Sequence, residues 1–304
     1  MKSFGIIAAL GAIVIFAGSP AIGRSGSANG LNGLDQTAIR YAFSSLVLLP
    51  LTIWYGRAVL ARHGWFKLVA LSVLGGAGYN AVYMSGFVFA PVAYGAALVP
   101  GLQPIFALVL LRFLFGDRLS LRVAIGPIIC LFGLFVLTAA GGVKLEPAHH
   151  TGIGLFVLAA LLWCSYTVVL KAWQVDPHEA LATTALISAL AFLPFYFAVR
   201  GVAPVLAAPL HASLLQLVHH GILVGIAATY LYSFAVKNVG SFTVSSLVPA
   251  TRILAIVIGW WLVDESLTLE QIIGVAIVSA GLLVGTWLAA RRPQSPRPVT
   301  AADR

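Results

Sequence analysis

The sequence predicts an all-α membrane protein with ten transmembrane helices arranged as two inverted five-helix repeats. Hydrophobic residues make up 60% of the 304-residue chain and charged residues only 9%. That is more apolar side chain than one water-soluble core can bury. The apolar residues come in runs separated by Gly, Pro or charge, and crossing a hydrocarbon layer of about 30 Å takes roughly 20 such residues. The second half of the chain also repeats landmarks of the first at a spacing near 148 residues.

Taken in order, the runs place helices at residues 3 to 22, 37 to 55, 67 to 89, 91 to 115, 121 to 140, 153 to 172, 180 to 199, 213 to 236, 240 to 264 and 270 to 290. Segments 24 to 36, 141 to 152 and 200 to 212 hold Gly, Pro, Ser, Asn and charge, the composition of water-exposed connections. The tail from Arg291 to Arg304 is polar and Pro-rich and is expected to be a disordered cytoplasmic segment. Met1-Lys2 followed by an apolar run to Gly18 also fits a cleavable signal peptide. Its counterpart in the second half argues for a retained first helix.

A net charge of +9 raises the question of nucleic acid, which demands basic residues clustered on one face or arm. Here they stand singly between apolar runs, so no nucleic-acid partner is expected. Positively charged loops stay in the cytoplasm. With the N-terminus inside, thirteen Lys and Arg fall on the cytoplasmic side, only Arg24, Lys144 and Arg200 on the other, and Arg40 and Arg252 within helices. This predicts both termini in the cytoplasm and an integral plasma (inner) membrane location. Cys130 and Cys164 lie inside apolar runs without metal-ligand spacing, so no metal, cofactor or redox chemistry is expected of them.

An offset of 148 lays LFGDRLSL (114 to 121) on LVDESLTL (262 to 269), with Gly126 on Gly274 and Gly133 on Gly281; ten of 25 positions agree from 114 to 138. An offset of 149 lays Tyr83 on Tyr232 and Leu98-Val99-Pro100 on Leu247-Val248-Pro249, and 147 lays Phe16 and Arg24 on Trp163 and Lys171. Such close offsets point to a duplicated five-helix unit, residues 3 to 140 and 153 to 290. Five is odd, so the second copy enters the membrane from the opposite side, which makes the copies inverted repeats. Inverted repeats can exchange conformations and open a central site to each side in turn.

Over residues 3 to 290 the chain resembles the EamA-type members of the drug/metabolite transporter (DMT) superfamily. The residues that carry the resemblance are Pro104 followed 13 positions later by Asp117 in GDRLS, Glu265 in DESLT, and WCSYTVVLK at 163 to 171. Two departures stand out: Arg252 occupies the second copy's proline position, with Pro249 three residues earlier, and Phe16 replaces the usual Trp in the first copy. The resemblance implies a basket of helices around a cavity, commonly for export of amino acids or other metabolites.

Arg252 is the most informative single residue. It lies twelve positions from both Gly240 and Asp264, which on a continuous helix is about 18 Å from either end and near the bilayer midplane. A guanidinium there costs about 2.5–3.5 kcal/mol on insertion scales and needs a wet cavity or a partner. No Asp or Glu falls within the core of a predicted helix. Backbone carbonyls freed by Pro249, polar side chains or an anionic solute remain as partners. At the 149 offset Gln103 pairs with Arg252, and Ser245, Pro249 and Arg252 form one helical stripe. Gly76, Asn80 and Tyr83 share a face of the third helix, and Trp163 and Tyr166 stand three apart on the sixth, a wall suited to an organic solute. Substrate-binding candidates are therefore Arg252, Gln103, Asn80, Tyr83, Trp163, Tyr166, Pro104 and Pro249.

Several neighbouring residues have simpler readings. Arg40, one turn into its helix, is expected to snorkel to the outer surface. His219 and His220 could titrate near neutral pH, with at most one of the two adjacent rings facing the cavity. Glu265 and Asp117 are expected to end helices, and the paired glycines to let helices five and ten pack closely. The lack of a core carboxylate favours facilitated or exchange transport over ion coupling.

The expected function is secondary transport or export of a small, carboxylate-bearing metabolite such as an amino acid by alternating access. A flippase for a lipid-linked or lipid-headgroup substrate is the alternative. A membrane enzyme would show a cavity-facing nucleophile, paired acids or a His cluster, and a receptor would carry a sensing domain; the sequence shows neither. The partners expected are a small-molecule solute and the lipid bilayer, with a homodimer as an option.

Overall fold

In the computed structural model, which describes residues 2–115, 121–139, 147–240, 243–244, 247–265 and 268–290, every regular element is a helix. Helix α1 spans Lys2–Ala28. A short turn leads to α2, Gly33–Leu74. Its start is fixed by a capping box: Asn32 Oδ1 accepts from the Leu34 and Asp35 amides at 2.9 and 3.0 Å, and Asp35 Oδ2 accepts from the Asn32 amide at 2.8 Å. These reciprocal bonds start the helix four residues before the apolar run does. The helix breaks at Gly64, where φ is 75° and ψ is 161°, a conformation open to glycine and costly for other residues.

Helix α3, Ala77–Phe89, follows a second break at Gly75–Gly76, so the predicted helix at 67 to 89 is two pieces. A Cβ on Gly76 would lie 2.3 Å from Ser188 Oγ. The glycine thus lets that hydroxyl approach and accept from the Ala77 amide at 3.1 Å, satisfying one orphan donor of the α3 N-terminus. Helices α4 (Val92–Phe115), α5 (Leu121–Ala139), α6 (Pro147–Ala172) and α7 (Pro177–Val199) follow. Next come a short α8 (Ala203–Ala207) and α9 (Leu210–Val239), which is π-helical over Leu217–Ala228. Helices α10 (Ala250–Val263) and α11 (Leu269–Ala290) complete the order.

The helix predicted at 240 to 264 is not continuous. Gly240 has a φ of 89°, and Val248 and Pro249 form a turn ahead of α10. Pro249 has no amide to continue a helical ladder. The Thr251 and Arg252 amides instead donate three residues back, to Val248 O at 3.0 Å and Pro249 O at 3.1 Å. Arg252 consequently sits in the first turn of a helix and not halfway along one. Ser245, Asp117 and the tail from 291 lie outside the described residues.

Among the described residues six stretches are long and apolar enough to cross a membrane: Ser3–Ala28, Gly33–Phe89, Val92–Leu110, Pro147–Ala172, Leu210–Val239 and Leu269–Leu288. The bundle's outer surface is apolar, with Trp54 and Trp261 exposed at 88% and 79%, as contact with lipid requires. Inside, Tyr83, Met84, Phe87, Leu98, Leu134, Phe156 and Val278 belong to one core cluster. Helices α5 and α11 pack backbone to backbone through the paired glycines. A Cβ on Gly126 would lie 2.6 Å from Gly285 Cα, and one on Gly133 2.6 Å from the Val278 nitrogen.

Ion pairs hold the ends of the bundle. At the α1–α2 end, Arg24 Nε meets Glu265 Oε1 at 2.6 Å and Arg200 Nε meets Asp35 Oδ1 at 3.2 Å. Near the Gly64 break, Arg62 meets Glu179 at 2.7 Å.

Candidate functional site

The interior of the bundle is built from aromatic rings on α3 and α6. They touch because α3 is offset from the rest of its span at Gly75–Gly76, where the Tyr166 ring packs on the Gly75 backbone; a Cβ on Gly75 would lie 2.4 Å from that ring. Ring centroids run from Tyr166 to Trp163 at 5.3 Å, on to Tyr79 at 4.9 Å and to Tyr83 at 5.6 Å. Tyr83 then meets Phe87 at 5.0 Å and Phe156 at 5.9 Å, both edge-on. These separations fall within the favourable range for aromatic pairs. Tyr79, absent from the candidates read from the sequence, is the link between the two helices.

Two guanidinium groups border this ladder. The Tyr79 hydroxyl lies within electrostatic range of both Arg40 and Arg252, and Tyr83 within range of Arg252. Among the described residues Arg252, half-buried, bonds only within its own turn: Nη1 donates to Thr251 Oγ1 and, at 3.4 Å, to Val248 O. Its Nε is buried with no hydrogen-bond partner among them. Among the described residues no carboxylate lies within ion-pair distance of Arg252. An unmade bond on a buried charged donor costs about 1–3 kcal/mol or more.

Arg40 corrects its expectation. It does not reach outward to the surface: Nη1 donates to Asn80 Oδ1 at 2.8 Å, and its guanidinium carbon lies 5.4 Å from the Tyr41 ring centroid. An amide acceptor and a π-face close to the helix offer it more than the reach to water does. Asn80 is 1% exposed and engaged at both ends of its amide, because Nδ2 donates to Thr37 Oγ1 at 2.9 Å. Its observed role is to hold Arg40.

Gln103 and Pro104 are partly buried on α4, where the Gln103 carbonyl accepts from Cys164 Sγ at 3.6 Å. Pro249 precedes α10, and the turn it starts sets the Val248 carbonyl where Thr251 Oγ1 and Arg252 Nη1 donate to it. Tyr83, Trp163 and Tyr166 come together with Tyr79, whereas Asn80 faces α2. The open cleft of about 450 Å³ lies at the C-terminal end of α6, lined by Thr167, Leu170, Lys171, Gln174, Val175 and Asp176, and does not border Arg252.

Sequence reasoning missed the clamp made by Glu265, treated above only as a helix end. Oε1 accepts from Arg24 Nε at 2.6 Å and Oε2 from the Val92 amide at 2.8 Å. Arg24 Nη1 also donates to Phe87 O at 2.7 Å. One carboxylate therefore ties α1, the α3–α4 turn and the end of α10 together. The signal available was that Arg24 and Glu265 both fall on the same predicted side of the membrane.

The EamA-like transporter family model matches residues 3–139 and again 150–287. The chain is 32% identical over 172 residues to a protein of Ancylobacter novellus named aromatic amino acid exporter YddG, an alignment covering 51% of this chain and 60% of that protein. It is 24% identical over 227 residues to the uncharacterized transporter YoaV of Bacillus subtilis, covering 74% of this chain and 76% of the other. One solved crystal structure aligns over 96% of this chain and 99% of its own, with a TM-score of 0.60 and 25% identity.

Proposed function

Because the chain belongs to the EamA-like transporter family, we propose that it carries a small carboxylate-bearing solute across the membrane by alternating access, an aromatic amino acid being the first candidate. In this reading Gly33–Phe89, 57 residues long, crosses twice. The shorter apolar helices Ala124–Thr138, Thr183–Val199 and Ala250–Val263 add three crossings to the other long spans, which gives ten in two inverted repeats. The two separate matches to one family model support that division, and the asymmetry of Lys and Arg supports cytoplasmic termini.

The observation that carries the reading is the unpartnered Arg252 Nε beside the aromatic ladder. A carboxylate would supply the missing acceptor, and a charge-assisted bond of this kind is worth about 1.5–3 kcal/mol. The start of α10 adds a favourable dipole for the same anion. The rings of Tyr79, Tyr83, Trp163 and Tyr166 offer stacking faces to an aromatic side chain. In this conformation those rings are in mutual contact, so the reading requires them to part when solute enters. The relative named as an aromatic amino acid exporter points to the same chemistry.

The test is counterflow of labelled L-tryptophan and L-phenylalanine in proteoliposomes. Arg252→Gln should lower the rate by about 10- to 100-fold, the equivalent of 1.4–2.8 kcal/mol, while the protein stays monodisperse. Full activity in Arg252→Gln and Arg252→Ala removes Arg252 from the mechanism. Tight binding of a lipid headgroup, without amino-acid flux, would instead favour a flippase.

A further inference from the structure

The π-helical stretch of α9 turns two adjacent histidines toward the same neighbour, where an α-helix would be expected to part them. His219 and His220 are 6% and 1% exposed, and their rings stand edge-on with centroids 4.9 Å apart. Both pack against α1. His219 Nε2 lies 3.0 Å from Ile15 O, and a Cβ on Gly18 would fall 2.7 Å from that nitrogen.

The hydrogen bonds fix where the protons are. Gln216 Nε2 donates to Ile22 O at 2.6 Å, which leaves Gln216 Oε1 as the acceptor facing His220 Nδ1 at 2.7 Å. Carbonyl oxygens only accept, and a neutral imidazole carries one N–H. The proton of His220 is therefore on Nδ1 and that of His219 on Nε2. Their other nitrogens, His219 Nδ1 and His220 Nε2, are acceptors buried with no hydrogen-bond partner among the described residues. Each imidazole is thus left with one bare nitrogen.

Each such buried, unmet group costs about 1–3 kcal/mol, so the arrangement calls for a donor. The charged and titratable groups around the pair are few. Arg40 acts on both rings from α2, where Tyr41 is its neighbour. Asp35, also on α2, is engaged by Tyr196 at 2.9 Å and by Arg200. Helix α1 contributes the Ile15 and Ser19 carbonyls and no charged side chain between Lys2 and Arg24. A proton on the pair would be a buried charge beside a guanidinium while α1 packs on α9, and a solvated one once they part. Proton binding and separation of α1 from α9 are then linked, since a ligand shifts a conformational equilibrium by its differential affinity.

We propose that His219 and His220 form a proton-binding site, empty while α1 packs on α9 and filled when the two helices separate. The site rests on the alternating-access reading above and supplies the titratable group that the missing core carboxylate would otherwise provide. It couples the conformational change to proton movement, against the expectation of uncoupled transport.

The first test needs no solute. Solid-state NMR of the full-length protein in liposomes, with 15N-labelled histidine, distinguishes bare, protonated and doubly protonated ring nitrogens. His219→Gln and His220→Gln assign the pair by the signals each removes. Two bare-nitrogen signals at about pH 8 should give way to doubly protonated rings at about pH 5. A pair that stays neutral throughout overturns the proposal. In the second test, L-tryptophan counterflow should change by about fivefold or more over that range in the wild type and by less than about twofold in His219→Gln/His220→Gln. Flux with the same pH dependence in both proteins also overturns it. Absence of tryptophan flux at every pH would count against the transport reading alone, because the NMR result decides the proton site independently.

Discussion

Replacing Glu265 by Gln takes one acceptor from a side chain that serves two donors. The carboxylate accepts from Arg24 Nε at 2.6 Å through one oxygen and from the Val92 amide at 2.8 Å through the other. A glutamine amide has a single oxygen, so either Arg24 or Val92 loses its bond and faces an N–H group instead. Glu265 is mostly buried and Arg24 partly so, at 19% and 29% side-chain exposure, which keeps water from compensating fully. The loss of one such bond costs about 1–3 kcal/mol. If that cost falls on the end of α4, its first amides should open about 5- to 100-fold more often, and hydrogen exchange over residues 92 to 95 should rise by that factor. Exchange measured by mass spectrometry in nanodiscs checks this, with residues 152 to 160 of α6 as an internal control. Unchanged exchange at 92 to 95 would show that the clamp does not hold the α3–α4 turn. A rise spread equally over α6 would mean general loosening, which equally refutes a local clamp.

Other substitutions separate structural from transport roles. Asp35→Ala removes a capping box and a buried acceptor for Tyr196 and Arg200 at once; with Arg200 partly solvated, the expected loss is about 2–4 kcal/mol, read as a lower unfolding midpoint in detergent. Gly133→Leu drives a side chain into the α11 backbone at Val278 and should prevent recovery of monodisperse protein, since overpacking of this kind costs several kcal/mol, roughly 1–3 and upward. Asn80→Leu strips Arg40 of its acceptor and should reduce stability by about 1–3 kcal/mol; Asn80→Asp, which keeps an acceptor for Arg40, should recover most of it. Trp163→Phe, which keeps a ring between Tyr79 and Tyr166, should leave the unfolding midpoint nearly unchanged, whereas Trp163→Ala should lower it and raise the half-saturating concentration for L-tryptophan about 5- to 50-fold, or roughly 1–2 kcal/mol.

What could be read in the sequence were features with a period or a length. Apolar runs placed α4, α5, α7 and α11 to within about three residues but missed the start of α6 by six and that of α10 by ten, and the glycine pairs gave the α5–α11 contact, because small-residue spacing acts locally. The breaks escaped notice where their cause lies elsewhere in the fold. Gly75–Gly76 is interrupted because the Ser188 hydroxyl of α7 caps α3, a contact 111 residues away in sequence. The start of α2 at Gly33 could have been read from the Asn32–Asp35 pair, which has the spacing of a capping box.

Polar residues were the hardest to place, and for one physical reason. In an apolar bundle a polar side chain goes to whichever partner lies within reach, and reach depends on packing and not on depth alone. Arg40 lies seven residues into α2 and Arg252 only two into α10, the reverse of the depths expected from the sequence, and Arg40 turns inward because Asn80 presents an acceptor 2.8 Å away. Arg252 gets its local partners from the turn at Val248–Pro249, and they satisfy Nη1 while leaving Nε bare. The same distinction applies to the histidines, whose shared facing follows from the π-helical winding of α9 and is invisible to a 3.6-residue period. Side chains that find full partners, such as Asn80, fix the scaffold. Those left with an unmet donor or acceptor, Arg252 and the His219–His220 pair, are where an anion or a proton would relieve the largest cost, and under the proposed transport reading they are the positions at which solute or pH would drive this bundle from one arrangement to another.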